Sequence, residues 1–91
     1  MDQRIGETCG KLEKIADILY QGDTVKGIVD MGTVISDLSI ICDSIQDEAV
    51  KAKLVREALT PILQAMEARD GILLADVITY ELLEILQSFE G

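Results

Sequence analysis

The chain has 91 residues, of which 48% are hydrophobic, 3% aromatic and 27% charged, and its formal net charge is −9. This length allows one domain with one core and is too short for two, so we expect a single domain over residues 1–91. Phosphate backbones and anionic lipids repel an acidic domain, which argues against nucleic acid or a membrane surface as the partner.

The first predicted helix covers about residues 4–21. Its apolar side chains recur at intervals of three and four, which places them on one helical face: Ile5, Cys9, Leu12, Ile15, Ala16 and Leu19. Gly22 is a natural stop after this helix, and Asp23 is placed to cap the next one. Because this link is so short, we expect the first two helices to lie antiparallel.

The second predicted helix, about residues 24–45, has the most regular apolar seam in the chain. Asp23, Asp30 and Asp37 repeat every seven residues along its flank, as a solvated edge would. Opposite the seam, a helical wheel places a narrow face of small and β-branched residues: Val29, Gly32, Thr33, Ser36 and Ile40. This second face indicates ordinary surface, contact with another helix or a symmetric dimer contact. Because helix 2 carries apolar residues on two faces, we expect it to be the central or shared helix.

The third predicted helix runs from a cap at Ser44 or Asp47 to about Ala68. Pro61 lies inside it, and an interior proline removes a backbone hydrogen bond and clashes with the preceding turn. We therefore expect a kink near residues 57–61 or a break into two shorter helices. The residues predicted to face inward are Val50, Leu54, Val55, Ala58, Leu59, Ile62, Leu63 and Met66.

The fourth predicted helix, residues 72–89, follows an Arg69-Asp70-Gly71 turn that offers a cation, a cap and a flexible residue. Its predicted seam is Leu74, Val77, Ile78, Leu82, Ile85 and Phe89. No Lys or Arg follows Arg69, so an electrostatically steered partner should be basic. Four helices of matched length with short links predict an all-α, antiparallel up-down-up-down bundle.

Glu81 is the residue of the last helix that does not fit its pattern. On a regular helical wheel it falls inside the apolar stripe, where an unpaired carboxylate is costly. Either it lies near the rim of the bundle and reaches water or a cation, or it makes a buried polar contact that sets helix register or anchors a partner. Tyr80 is close enough in sequence to donate a hydrogen bond in the second case.

The chain contains no histidine, which removes the usual general base and the commonest transition-metal ligand. Its glycines match no phosphate-binding loop, and its carboxylates are dispersed over helices rather than spaced for calcium. We therefore expect no catalytic residues, no metal site and no cofactor. Cys9 and Cys42 lack the spacing of a zinc site, so we interpret them as buried thiols, with a labile bridge or a reactive thiol as the alternative.

Residues 69–82 combine an aspartate, an apolar run, Ala75-Asp76 and then Tyr80-Glu81-Leu82. This segment resembles one found in an uncharacterised family of small all-helical domains of Firmicutes. In size, acidity and helical content the chain is also similar to flagellar export chaperones. The resemblance implies a bacterial helical bundle and assigns no functional residue.

The prediction of function rests mainly on apolar residues that lie outside the predicted helix seams. More apolar helix surface is present than four narrow seams require: Val29, Ile40, Ile18, Ile72 and Leu83. This surplus predicts a non-enzymatic protein-protein interaction module, an adaptor or small chaperone-like bundle that contacts a partner protein or a second copy, as a homodimer. The alternative is a bundle that binds a small molecule or ion near Tyr80 and Glu81. No apolar run is long enough to span a membrane and no signal peptide is recognisable, so we expect a cytoplasmic location.

Overall fold

The computed structural model describes residues 3–88, which form four helices joined by three short links. Helix α1 is Gln3–Tyr20 and helix α2 is Thr24–Ser44; helix α3 covers residues 48–68 and helix α4 residues 71–88. No strand occurs among these residues. The predicted all-α bundle of four helices is thereby confirmed. Phe89, a predicted seam residue of the last helix, lies outside the described residues.

Each helix after the first begins at an aspartate whose side chain accepts a backbone N–H of the first turn. The Oδ1–N distances are 3.1 Å from Asp23 to Lys26, 2.9 Å from Asp47 to Ala49 and 3.0 Å from Asp70 to Leu73. These bonds satisfy amide groups that have no partner inside the helix. The caps predicted at Asp23 and Asp70 are confirmed, and Asp47 rather than Ser44 caps α3.

Two residues with left-handed backbone conformation reverse the chain direction after α1 and after α3. Gly22 follows α1 with φ 97°, as a stop glycine does, and Arg69 follows α3 with φ 55°. Because Arg69 takes the left-handed position in this turn, Gly71 is not the flexible turn residue that the sequence suggested. It is the first residue of α4, and a Cβ at this position would overlap the Thr24 side chain. The start of α4 thus packs tightly on the start of α2.

The core is aliphatic and draws on all four helices. Its largest fully buried side chains are Leu12, Leu19, Met31, Val34, Leu38, Ile41, Leu54, Ile62, Leu74, Ile78, Leu82 and Leu86. Cys9 and Cys42 are buried and carry no disulfide, so the interpretation as buried thiols is confirmed. In α3, Val55 and Leu63 were expected to face inward but are exposed, whereas Ala65 is fully buried.

Helices α1 and α4, not α2, lie in the middle of the bundle. Helix α1 packs along α2 on one side and along the length of α4 on the other, whereas α2 packs chiefly on α1. On α2 the residues Val34 and Ile41 are fully buried, while Ile28 and Ile35 on the other side of its seam are only half-buried. The prediction of α2 as the central helix is therefore wrong, whereas a helix shared with a partner stays a prediction. The outer side of α2 has no partner among residues 3–88.

Candidate functional site

Helix α3 contains a π turn at Val55–Leu59, immediately before Pro61. The Thr60 N–H donates to the Val55 carbonyl, five residues back, and the helix continues to Ala68. Pro61 has no N–H and crowds the preceding turn, and this wider turn makes room for it. Helical backbone thus continues through residues 48–68 without a break, while the kink stays a prediction.

Helix α4 contains a second π turn at Ile78–Leu82, where the Leu83 N–H donates to the Ile78 carbonyl. A π turn holds one more residue than an α turn, so it rotates the residues after it by roughly one position, about 100°. Leu83, expected to be exposed, is therefore turned into the core, where it is 7% exposed. Glu81, which a regular helix would place in the apolar stripe, is turned out to solvent.

The two π turns contact each other across the α3–α4 interface. Isolated π turns inside α-helices occur frequently at functional sites, so a facing pair marks this region as a candidate site. A groove of about 440 Å³ lies beside them. We call it the acidic groove; its lining residues are Val50, Lys53, Glu57, Tyr80, Glu81, Glu84, Ile85 and Ser88.

The acidic groove is open to solvent and carries three carboxylates. Tyr80 is 66% exposed, and Glu81 and Glu84 are exposed beside it. Within residues 3–88, no side-chain hydrogen bond or ion pair engages Glu57, Glu81 or Glu84. No three potential metal ligands converge anywhere in this described part of the chain, so the three glutamates do not form a cation cage.

The second candidate surface is the outward side of α2, which we call the α2 outer face. Its seven members are exposed and uncharged: Val25, Val29, Gly32, Thr33, Ser36, Ser39 and Ile40. Val25 is 72% exposed, Val29 62% and Ile40 46%. The face follows the helix for about 22 Å at 1.5 Å per residue.

Three of the four charged residues of α2 lie on the flank towards α1, where they have partners; the fourth, Asp43, is exposed and continues the line of Ser36 and Ile40 at the end of the helix. Lys26 pairs with Asp30 at 3.0 Å, and Lys11 of α1 pairs with Asp37 at 3.3 Å. Asp23 caps the helix. Of the aspartates predicted to form a solvated edge, Asp23 is therefore a helix cap, and Asp30 and Asp37 form ion pairs. None of the three lies on the α2 outer face.

An apolar notch adjoins the α2 outer face on the side towards α3. Its volume is about 80 Å³, and its lining residues are Ile35, Leu38, Ser39, Leu59 and Leu63. Ser39 belongs to both surfaces, which makes them continuous. Leu63 is 54% exposed at the edge of the notch. The uncharged surface of the domain therefore extends from α2 onto α3.

The residues singled out in the sequence fall on two separate surfaces. Tyr80 and Glu81 line the acidic groove between α3 and α4, whereas Val29 and Ile40 lie on the α2 outer face. No residue of α2 lines the acidic groove, so the structure does not bring the two pairs together. Glu57, Glu84 and the notch do not follow from the sequence pattern, because each becomes part of a surface only when α3 packs on its neighbours.

A third feature, which the sequence did not indicate, ties α1 to α4. The Tyr20 hydroxyl donates a hydrogen bond of 2.6 Å to Asp76 Oδ1. Ionisation of Tyr20 would destroy this bond and oppose two negative charges, so Asp76 raises the pKa of Tyr20 above its ordinary value of 10.0. A hydrogen bond with Thr79 acts in the opposite direction and is the smaller effect.

We expect Asp76→Asn to lower the pKa of Tyr20 towards 10.0. The chain has two tyrosines and no tryptophan, so near-ultraviolet absorbance in a Tyr80→Phe background follows Tyr20 alone. Because the folded-state pKa is raised, the stabilisation is present below the unfolded pKa, near 10, and is lost as the pH rises through the folded-state value. An unchanged Tyr20 titration in Asp76→Asn would show that this hydrogen bond does not form in solution.

The fold and these two surfaces define the class: a small all-α bundle with a neutral helix face and an acidic groove. The chain belongs to the family described as Domain of unknown function (DUF8042), whose model matches residues 7–91. No curated protein and no solved structure matches the chain. Among residues 3–88, every helix is too short or too polar to cross a membrane.

Proposed function

We propose that the domain is a non-enzymatic protein-protein interaction module whose main contact surface is the α2 outer face. The observation that carries this proposal is the uncharged, exposed strip of α2 and its continuation into the apolar notch. Removing apolar surface from water contributes roughly 25 cal/mol per Å², and the three aliphatic side chains of this strip are 46–72% exposed. A partner helix that covers Val25, Val29 and Ile40 would gain this stabilisation.

The shape of the face also favours a helical partner. Gly32 and Ser36 are small residues between the aliphatic positions Val29 and Ile40, so another backbone can approach closely at the middle of the strip. A helix that packs there would place its own apolar side chains over Val29 and Ile40, in the helix-in-groove manner of peptide recognition. The notch beside Leu63 offers a pocket for one further side chain.

The absence of histidine from the chain supports the non-enzymatic part of the proposal. An adaptor or a small chaperone-like protein of the bacterial cytoplasm is the role that such a module would fill. The sequence alternative, a small-molecule or ion site near Tyr80 and Glu81, is less well supported. The groove there is open rather than enclosed, and metal ligands do not converge in the described part of the chain.

Site-specific photocrosslinking tests the proposed surface. With a photoreactive residue at position 29 or 40, we expect discrete adducts in cells of the source organism. A residue at position 67, which replaces the exposed Glu67 of α3, is the matched control and should give none. An adduct of twice the chain's mass identifies a second copy as the partner, and any other mass identifies a different protein.

Sedimentation velocity at rising concentration separates the two partners independently. Self-association that Val29→Ser/Ile40→Ser abolishes supports a homodimer through the α2 outer face. Equal adducts at positions 29, 40 and 67 would contradict the proposal. So would a strictly monomeric chain that gives no adduct at positions 29 and 40.

A further inference from the structure

We infer that the acidic groove binds a basic amphipathic segment of a partner protein, with Lys or Arg side chains over the glutamates and an apolar side chain between α3 and α4. The inference rests on the proposed function in that it takes the domain to bind proteins, but it concerns a different surface and names the chemistry of the partner. Three properties of the groove support it: carboxylates without partners, an apolar wall and a charge that disfavours other ligands.

Three carboxylates without partners line this one groove, whereas other unpaired carboxylates of the described residues, such as Asp17 and Glu67, lie outside it. On the α1–α2 side, Asp30 and Asp37 already have lysine partners. Glu57, Glu81 and Glu84 have none among the described residues, and Lys53 is the one cation among the groove's lining residues. Residues 70–91 contain no Lys or Arg, so α4 supplies no internal cation either. A basic partner would bring the complementary charge.

The groove also offers apolar contacts, which a site for a free cation does not need. Ile85 is buried in its wall with 8% exposure, and Val50 on the facing helix is half-buried. The Tyr80 ring is largely exposed and can contact the stem and the charged end of a Lys or Arg side chain, as in cation–π pairs. Carboxylates beside an aliphatic wall and a tyrosine ring match an amphipathic basic helix.

Other ligand classes fit the groove less well. Phosphate groups and nucleic acid are repelled by three carboxylates in a chain of net charge −9. A second copy brings the same net charge, so association through this groove would have to overcome repulsion between two acidic chains. A basic segment is attracted instead, and the attraction accelerates its encounter and weakens as salt is added.

Selection from a phage library of random peptides of about 16 residues, or roughly four helical turns, tests the inference. The immobilised wild-type domain is the target, and Glu81→Lys/Glu84→Lys is the counter-target. We expect the enriched peptides to combine Lys or Arg with apolar residues at intervals of three and four. The best peptide should bind the charge-reversed variant at least roughly tenfold more weakly and Glu81→Gln/Glu84→Gln a few-fold more weakly.

Glu13→Lys/Glu67→Lys is the matched control. Each Glu→Lys change adds two charges, so both double variants shift the net charge from −9 to −5. Peptide affinity that falls only with the groove variant supports the site, provided that circular dichroism shows all variants folded. An equal loss in the control, enrichment of neutral or acidic peptides, or no enrichment would overturn the inference.

The Val29→Ser/Ile40→Ser variant keeps this test separate from the proposed function. It should bind the peptide as the wild type does, because no residue of the α2 outer face lines the groove. Loss of crosslinks at positions 29 and 40 with intact peptide binding would support the acidic groove and contradict the α2 outer face as a contact surface. Intact crosslinks without peptide binding would support the α2 outer face and contradict the acidic groove as a binding site.

Discussion

We expect deletion of Glu81 to leave the domain folded, with a free energy of unfolding within about 1 kcal/mol of the wild type, and deletion of Glu13 to abolish the folded state. Both residues are exposed glutamates inside helices, and they differ in the turn that holds them. Glu81 lies in a π turn, which already contains one residue more than an α turn. Glu13 lies in the regular helix α1.

The expected difference follows from what each deletion does to the core. Without Glu81, the π turn can close to an α turn, and the buried residues on either side then share one regular stripe with intervals of three and four: Leu74, Val77, Ile78, Leu82, Leu83, Ile85 and Leu86. Without Glu13, the residues after it rotate by about 100° and carry Ile15 and Leu19 out of the core. Losing two such side chains costs roughly 4–10 kcal/mol, comparable to the whole stability of a small domain.

Urea denaturation followed by circular dichroism measures both deletions. A cooperative transition for the Glu81 deletion and none for the Glu13 deletion is the expected pair of results. If the two deletions were equally disruptive, the turn at Ile78–Leu82 would not be an insertion that the helix tolerates. The placement of Glu81 at the surface would then need a different explanation.

The helix count, the capping aspartates and most core positions follow from the sequence because each depends on local spacing. A cap needs one oxygen next to the first turn, and a seam needs only apolar residues at intervals of three and four. Asp23 and Asp70 were assigned correctly for this reason, and the described seam residues of α4 are all buried.

The π turns escaped the sequence analysis because a helical wheel assumes a constant 100° per residue. One feature of α4 does indicate its π turn. Four fully buried residues follow one another at intervals of four: Leu74, Ile78, Leu82 and Leu86. On a regular α-helix each such interval drifts by about 40°, so three intervals spread over roughly 120°, too far for one buried line. Strict four-residue spacing over that length therefore predicts an additional residue in one turn, and this residue decides where Glu81 points.

The acidic groove and the position of α2 could not be derived from the chain because they depend on which helices become neighbours. Apolar residues on two faces of α2 predict a central helix, yet α1 and α4 take the middle of the bundle, and Ile35 of α2 stays half-buried beside the notch. Glu57 and Glu81 are 24 positions apart in the sequence, and only the packing of α3 on α4 brings them to one groove. Sequence spacing within one helix contains no information on such a pairing.

The packing of α1 on α2 makes opposite predictions for two glycines of the same helix. Gly27→Ala should lower the free energy of unfolding by about 1–3 kcal/mol, the usual cost of inserting a group into a packed core. A Cβ at Gly27 would stand 2.5 Å from Leu19 Cγ and closer still to Cδ2. Because Leu19 is fully buried, it has no free space to move into, and α1 and α2 would have to separate.

Gly32→Ala should instead raise the free energy of unfolding by about 0.5–1 kcal/mol, since alanine loses less backbone entropy in a helix than glycine does. Gly32 is exposed, and no atom lies within 4 Å of the position that its Cβ would occupy. Urea denaturation of the two variants checks both signs. A loss of stability in Gly32→Ala, or none in Gly27→Ala, would contradict this account of how α2 packs.

Gly32→Ala also separates stability from binding. If a partner helix approaches the α2 outer face closely at Gly32, the additional methyl group should weaken the crosslinks at positions 29 and 40 while the free domain becomes more stable. Selection for stability alone would favour alanine at this exposed helical position. Gly6 and Gly10 are exposed helical glycines with open space as well, so glycine alone does not indicate a partner at Gly32. Crosslink yield in the stabilised variant measures directly whether a second backbone requires the space.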